Sequence, residues 1–282
     1  MLLKRSNGSR ALSLVVLLSC LLSLGQAQTP SMSRQSGSNN EYQVGALLWT
    51  QSSAEYRALA YQTFVLARLR LDQALRSRNR SRSKKPALVV DVDETVLDNS
   101  RFQAELVLRG AAYTAEDWKA WCDRAEAGAV PGAVDFLNYA ARQGVRVFYI
   151  TNRRQPEKAG TINNLTKLGF PAVTDESVMI REQGTTGSKE SRREKVRLHY
   201  WIAMLVGDNL NDFNDNFAGK SIADRSAEVD RERSDFGSRF IVVPNPIYGD
   251  WENAVNNNQS NLTDEQRAAN RRAALKGITT QP

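Results

Sequence analysis

The chain has 282 residues, 41% of them hydrophobic, and a formal charge of +7 from 38 basic and 31 acidic residues. That is enough apolar material for a real core and suits one α/β domain with an insertion. One histidine, His199, cannot fill both places of a two-histidine phosphotransfer mechanism, and two cysteines, Cys20 and Cys122, are too few for a zinc site built from several thiolates. The basic residues are interleaved with acids, as along Asp224–Arg239, so no dedicated nucleic-acid surface is expected.

In chain order, Lys4, Arg5 and Arg10 precede an apolar run, Ala11–Leu24, and then Gly25-Gln26-Ala27. This charged, apolar, small-residue order predicts a secretory signal over residues 1–27, and the run falls short of the ~20 residues a membrane span needs. Cleavage after Ala27 lowers the net charge from +7 to +4, because three cations leave and no acid does. A competing signal overlaps it. Leu17-Leu18-Ser19-Cys20 is a marginal lipidation sequence, and lipid on Cys20 would anchor the chain to the outer surface instead of releasing it as a secreted or periplasmic protein. With simple cleavage the mature chain keeps one thiol, Cys122, and has no internal disulfide.

Residues 28–41, rich in Ser, Asn, Gln and Gly, are expected to be a flexible tether. From Glu41 to about Arg78 apolar residues recur at helical spacing (Ala58, Tyr61, Phe64, Val65, Leu71, Leu75), and Asn79–Lys85 is a basic connector. The run Ala87–Val90 predicts a buried strand with Asp91 and Asp93 directly at its carboxyl end, the edge where open α/β sheets bind ligands. Within 101–130, Thr114-Ala-Glu-Asp-Trp118 predicts a capped helix start. Val145–Ile150 predicts a second strand ending in Thr151-Asn152. Gly187-Ser188-Lys189 precedes a helix, Ile202–Val206 predicts a third strand running into Gly207-Asp208 with Asp212 four residues on, and Phe240–Val243 a further one.

This alternation predicts a three-layer, Rossmann-like α/β fold with a parallel sheet and a small helical cap. The domain would span 42–256, with the cap drawn from about 42–80 and 101–130, and residues 257–282 form a polar tail. Phe102, Trp121 and Tyr248 are candidate walls for a flat base, equally readable as packing residues.

Three strand ends and a helix start thus gather the parts of a phosphoryl-transfer site. Asp91 is the candidate nucleophile and Asp93 the candidate general acid and base. Thr151, the N–H of Asn152 and the compact charge of Lys189 are candidate phosphate ligands. Hard Mg²⁺ prefers oxygen donors. The Asp91 side chain, the Asp93 backbone carbonyl and Asp208 would hold it, with Asp212 acting through a metal-bound water. Each part alone has a plainer reading: a capping turn for the Asp91/Asp93 pair and for Thr151-Asn152, a solvated cation for Lys189, a solvent-facing helical pair for Asp208 and Asp212. Like charges four apart on a helix repel, which favours a cation between them.

These residues resemble the haloacid dehalogenase (HAD) superfamily and, more narrowly, the bacterial class C acid phosphatases, which include surface lipoprotein 5′-nucleotidases. Asp91-Val-Asp93-Glu-Thr95-Val-Leu-Asp-Asn-Ser100 and Gly207-Asp208-Asn-Leu-Asn-Asp212-Phe213 are similar to the family's first and last motifs. Trp49–Gln62, Val130–Leu137, Tyr149–Arg153 and Pro244–Glu252 resemble further landmarks, so the likeness covers roughly 42–256. Arg101-Phe102 stands where the family pattern has a Pro-aromatic pair. The resemblance implies the HAD-like fold and the site roles assigned above. It also implies Mg²⁺ as cofactor, small phosphorylated metabolites as substrates, nucleoside monophosphates among them, and a homodimer.

The expected function is a secreted, Mg²⁺-dependent acid phosphatase, acting through an aspartyl-phosphate and most active at acid pH because Asp93 must carry a proton to donate it. Two alternatives stand beside it. A phosphotransferase would resolve the same intermediate with an alcohol, and a non-catalytic surface protein would bind haem or a host ligand. The joint presence of four motif aspartates and Lys189 argues against the last, since a decayed enzyme need not keep them together.

Overall fold

The computed structural model describes residues 40–77 and 84–277. The expected signal segment, Cys20, most of the expected tether and most of the basic connector lie outside the described residues.

β1 (Lys85–Val90) leads into a short strand β2 (Leu97–Asp98), which pairs antiparallel with β3 (Gly128–Ala129). β4 (Arg146–Ile150), β5 (Val178–Met179), β6 (Tyr200–Gly207) and β7 (Phe240–Val242) run parallel to β1 in a five-stranded sheet of order β5-β4-β1-β6-β7. The chain first builds outward from β1 through β4 to β5, then restarts at β6 on the other side. The switch falls between β1 and β6, which opens a crevice beyond their carboxyl ends.

The strands read as uninterrupted apolar runs because both faces are covered. Leu88, Val90, Val147, Met204 and Val206 join one core cluster, while Ala87, Val89, Phe148, Ile150 and Leu205 join another. The first face is covered by α2 (Ala54–Ser77) and, after α3 (Ser100–Arg109) and α4 (Ala115–Arg124), by α5 (Ala133–Arg142) and α6 (Lys158–Lys167). α7 (Glu190–His199) covers the other face through Val196.

The expected three-layer parallel fold is present, with one change at the amino end. The predicted long helix breaks at Ser53, whose backbone is extended (ψ 136°) and whose Oγ accepts the Tyr56 N–H at 3.0 Å. The break separates α1 (Val44–Ser52) from α2. α1 packs on α3, away from the sheet, but α2 puts Ala60, Phe64, Ala67 and Leu71 into the core cluster of Leu88 and Val90. α2 is therefore a layer of the core and not part of the cap, because its apolar stripe is long enough to span the sheet. Around the insertion, Thr114 caps α4 as expected, accepting from Asp117 N at 3.0 Å.

Beyond α8 (Ile222–Arg231) and α9 (Asp250–Val255), the polar tail contains α10 (Asp264–Ala274). It starts with a reciprocal capping box between Thr263 and Gln266. Its Arg271 lies 3.7 Å over the Tyr42 ring and 3.8 Å from Glu252, which ties the tail to the body of the domain.

Candidate active site

The carboxyl ends of β1, β4 and β6 and the start of α7 converge on a cleft of ≈ 640 Å³, lined among others by Asp91, Asp93, Asn152, Lys189, Asp208, Asp212 and Tyr248. Strand geometry does the positioning. The Asp91 N–H is held by the Val206 carbonyl at 2.9 Å, so the residue after β1 is locked to β6.

One carboxylate oxygen from each of Asp91, Asp208 and Asp212 lies within 4.8 Å of the others. Gly207 makes this approach feasible, since a Cβ there would overlap the Asp212 side chain. Gly207→Ala is accordingly expected to push Asp212 out of the cluster and to raise the divalent-metal concentration needed for half-maximal stabilisation by tenfold or more, roughly the loss seen when an outer partner of a metal site is removed. A metal titration followed by thermal denaturation checks this, and an unchanged midpoint would contradict it.

Lys189 bridges the cluster. Its ammonium pairs with Asp91 Oδ1 and, at 2.7 Å, with Asp212 Oδ1, and all three side chains are buried. Burial alone would lower the lysine pKa, but Asp212 and Asp91 together raise it above its ordinary value. Burial pushes the Asp91 carboxyl up to about 6 against the pull of Lys189, with Asp212 and Asp93 adding to the rise. Asp208 is raised well above the usual carboxylate range by burial and then by Asp212 and Asp91, opposed by a bond from Asn245 Nδ2 at 2.8 Å. Thr95 joins the two motifs: its Oγ1 lies 3.2 Å from Asp91 Oδ2 and 3.1 Å from Asp208 Oδ1, and accepts the Asp208 N–H at 3.0 Å. Three closely set carboxyls, Asp91 and Asp212 buried and Asp208 half-buried, share one ammonium and offer only hard oxygen donors. That suits a divalent cation of the oxygen-preferring kind.

Asp93 points to the other side of the cleft. Its Oδ1 accepts from Arg153 Nη2 at 2.7 Å, Arg153 Nε at 3.0 Å and Asn99 Nδ2 at 2.9 Å, and its Oδ2 from Thr151 Oγ1 at 3.1 Å. Arg153 is 3% exposed, stacks 5.1 Å from the Trp118 ring and donates to Thr161 Oγ1 at 3.0 Å. Thr151 is fully buried, so its hydroxyl serves Asp93 while the exposed Asn152 fronts the cleft.

Behind Asn152, buried Arg192 binds its Oδ1 at 2.8 Å and the Ser188 carbonyl at 2.9 Å. Arg193, also buried, binds the Asp212 carbonyl at 2.9 Å. One turn of α7 thus ties the β4 and β6 loops to the Lys189 position.

Arg153, Glu94, Asn99, Asn245, Arg192 and Arg193 were not predicted from sequence. Glu94 adopts a left-handed conformation (φ 57°), unusual without glycine, and its buried carboxyl accepts the Asn99 N–H at 2.8 Å and the Tyr248 hydroxyl.

The expected base walls separate. Tyr248 lines the cleft, but Phe102 and Trp121 do not. They are 5% and 6% exposed, stack on each other with centroids 6.2 Å apart, and Trp121 Nε1 donates to Asn99 Oδ1 at 2.9 Å. Both hold the cap together because their rings face its core. The aromatic lining is Tyr113, Trp118 and Tyr248.

A parallel α/β sheet with an aspartate pair after its central strand, a buried lysine and a carboxylate cluster is the arrangement of a phosphoryl-transfer class of protein. The sequence relationships narrow that class. The family model for HAD superfamily, subfamily IIIB (acid phosphatase) matches residues 22–251, and the chain belongs to that family. It is 40% identical to the class C acid phosphatase from Bacillus anthracis, whose structure superposes with a TM-score of 0.80 over 85% of this chain and 98% of that one. The same enzyme with tungstate bound matches equally, at 40% identity and TM-score 0.80 over 85% and 99% of the two chains. Acid phosphatase 1 of Solanum lycopersicum is 23% identical over 164 residues, a match that spans 57% of either chain.

Proposed function

We propose that the chain is a Mg²⁺-dependent hydrolase of phosphate monoesters, exported through its amino-terminal signal and acting on 5′-nucleotides among other small phosphates. The observation that carries the reading is the opposition, across one cleft, of Asp91 held by Lys189 and Asp93 held by Arg153. Asp91, Asp208, the Asp93 backbone carbonyl and, through water, Asp212 would hold the ion, which supplies positive charge for the transferring phosphoryl oxygens.

In the first step an Asp91 oxygen bonds to phosphorus as the ester P–O bond breaks, and Asp93 delivers its proton to the departing oxygen. Both Asp93 oxygens are held, Oδ1 by Arg153 and Asn99 and Oδ2 by Thr151 Oγ1 at 3.1 Å and Arg153 Nε at 3.3 Å, which fixes the orientation of the carboxyl in the cleft. In the second step Asp93 takes a proton from water as the water oxygen bonds to phosphorus and Asp91 leaves. Lys189 keeps Asp91 aimed and lowers the repulsion between two anions. Asn152 and Lys189 contact phosphate oxygens, and Thr151 contributes through Asp93. Tyr113, Trp118 and Tyr248 give the leaving group flat apolar surface, which favours a nucleoside.

The test is phosphate release from a 5′- and a 3′-mononucleotide at mildly acidic pH, with Mg²⁺ and with excess chelator. Chelator-sensitive release that favours the 5′ ester is expected. Equal release from both would make the chain a general phosphate scavenger, and no release from folded protein would return it to the binding class.

A further inference from the structure

The charges around the cleft are sorted by strand. The acids Asp91, Asp93, Asp208 and Asp212 follow β1 and β6, whereas Arg153 and Arg154 follow β4 and Arg181 follows β5. Most of these cations already have a carboxylate. Arg153 is on Asp93, Arg154 Nε is 3.5 Å from Glu157 Oε1, and Lys189 spans Asp91 and Asp212. Arg181 lines the same cleft, half-buried, and no carboxylate pairs with it among the described residues.

The next residue in sequence, Glu182, pairs with Lys195. Arg181 rather adds repulsion to another cation: its charge is one of those that lower the pKa of Arg192. A half-buried guanidinium set among like charges, on a wall shared with a substrate, is favourable when the ligand brings the anion.

The position of Arg181 says which part of the ligand that is. Its backbone N–H is bonded to the Arg153 carbonyl at 2.8 Å, which places it beside the residue that holds Asp93. Asp93 is the proton donor to the leaving oxygen in the reading above, and Arg181, which follows the edge strand β5, stands one strand farther from Asp91 than Asn152 and Arg153, on the side where a leaving group extends beyond the phosphoryl contacts. We propose that Arg181 is a specificity residue that selects phosphate monoesters whose leaving group carries a second anionic group, a carboxylate or a further phosphate. The inference rests on the phosphatase reading.

The test uses two substrate pairs that differ only in the second anion, phenyl phosphate against 4-carboxyphenyl phosphate and a nucleoside 5′-phosphate against its 3′,5′-bisphosphate, with the intact chain and Mg²⁺. The wild type is expected to turn over the doubly anionic member of at least one pair with a kcat/KM about two to five times higher, the range of a partly exposed charge pair. In Arg181→Gln that ratio should fall to one or below, and in Arg181→Lys it should partly recover. The carboxylate and phosphate arms identify which anion is taken. Turnover of phenyl phosphate with a ratio of one or less in both pairs, or a ratio unchanged by Arg181→Gln, would overturn the inference while leaving the phosphatase reading standing. No turnover of any of the four would overturn both.

Discussion

Asp91→Asn is expected to lower phosphate release by about 10⁴-fold or more, the order seen when an enzyme loses its nucleophile, without loss of fold. The second half of that result follows from burial. The Asp91 carboxyl is pushed up to about 6 from an ordinary 3.8, so its ionised form is disfavoured in the folded chain. A carboxyl raised in this direction costs stability as pH climbs from the ordinary value through the raised one, and the cost is complete above about 6. Asp208 is shifted the same way.

The metal-free wild type should therefore melt at a lower temperature at pH 7 than at pH 5, and Asp91→Asn should flatten that difference. Lys189 keeps Asp212 as a partner at 2.7 Å, so the substitution does not strand it. Thermal melts at both pH values with chelator, beside an activity assay, check the pair of outcomes. Substantial residual activity would mean that the nucleophile lies elsewhere, and a steeper pH dependence in the variant would reject the electrostatic account.

Lys189→Met should be the more damaging change to stability. It leaves Asp91 and Asp212 buried with no ammonium between them, and removal of one partner from a buried ion pair costs about 3–5 kcal/mol. Activity should also fall by several orders of magnitude, because the same charge neutralises the approach of Asp91 to phosphate. The informative part is rescue. An ion bound at a hundred times its dissociation constant stabilises the folded state by about 2.7 kcal/mol, and the variant has more uncompensated negative charge than the wild type. Mg²⁺ should thus raise the melting temperature of Lys189→Met more than that of the wild type. Equal shifts in the two proteins would mean that the ammonium and the ion do not share these carboxylates.

What could be read from the sequence was what lies next to itself. Asp91 and Asp93 after an apolar run, Asp208 and Asp212 after Gly207, and Lys189 at a helix start are local patterns, and strand periodicity alone places them on one sheet edge. Arg153, at the very next step after Thr151-Asn152, went unread because nothing local says that its guanidinium crosses to Asp93, sixty positions away. Arg192 and Arg193 stand in a charge-rich stretch that looks like a solvated helix face, yet both are buried against loop carbonyls. Phe102 and Trp121 were ambiguous for the opposite reason: an aromatic ring has the same sequence signature whether it faces a ligand or a core. The separation of α2 from the cap turned on one extended residue, Ser53, within an otherwise continuous helical pattern.

The seat of α4 has a consequence for how the cleft discriminates. Gly160 of α6 lies so close to the Cys122 carbonyl that a Cβ would collide with it, and Asn164 clasps the Ala127 backbone through both its amide atoms, at 3.1 and 2.9 Å. Trp118 rides on this clamped helix, its ring wedged between Phe102 and the Arg153 guanidinium, so it meets a ligand as a firmly seated wall. A wall seated in this way sorts callers as a sieve does, by the size and charge they bring to it.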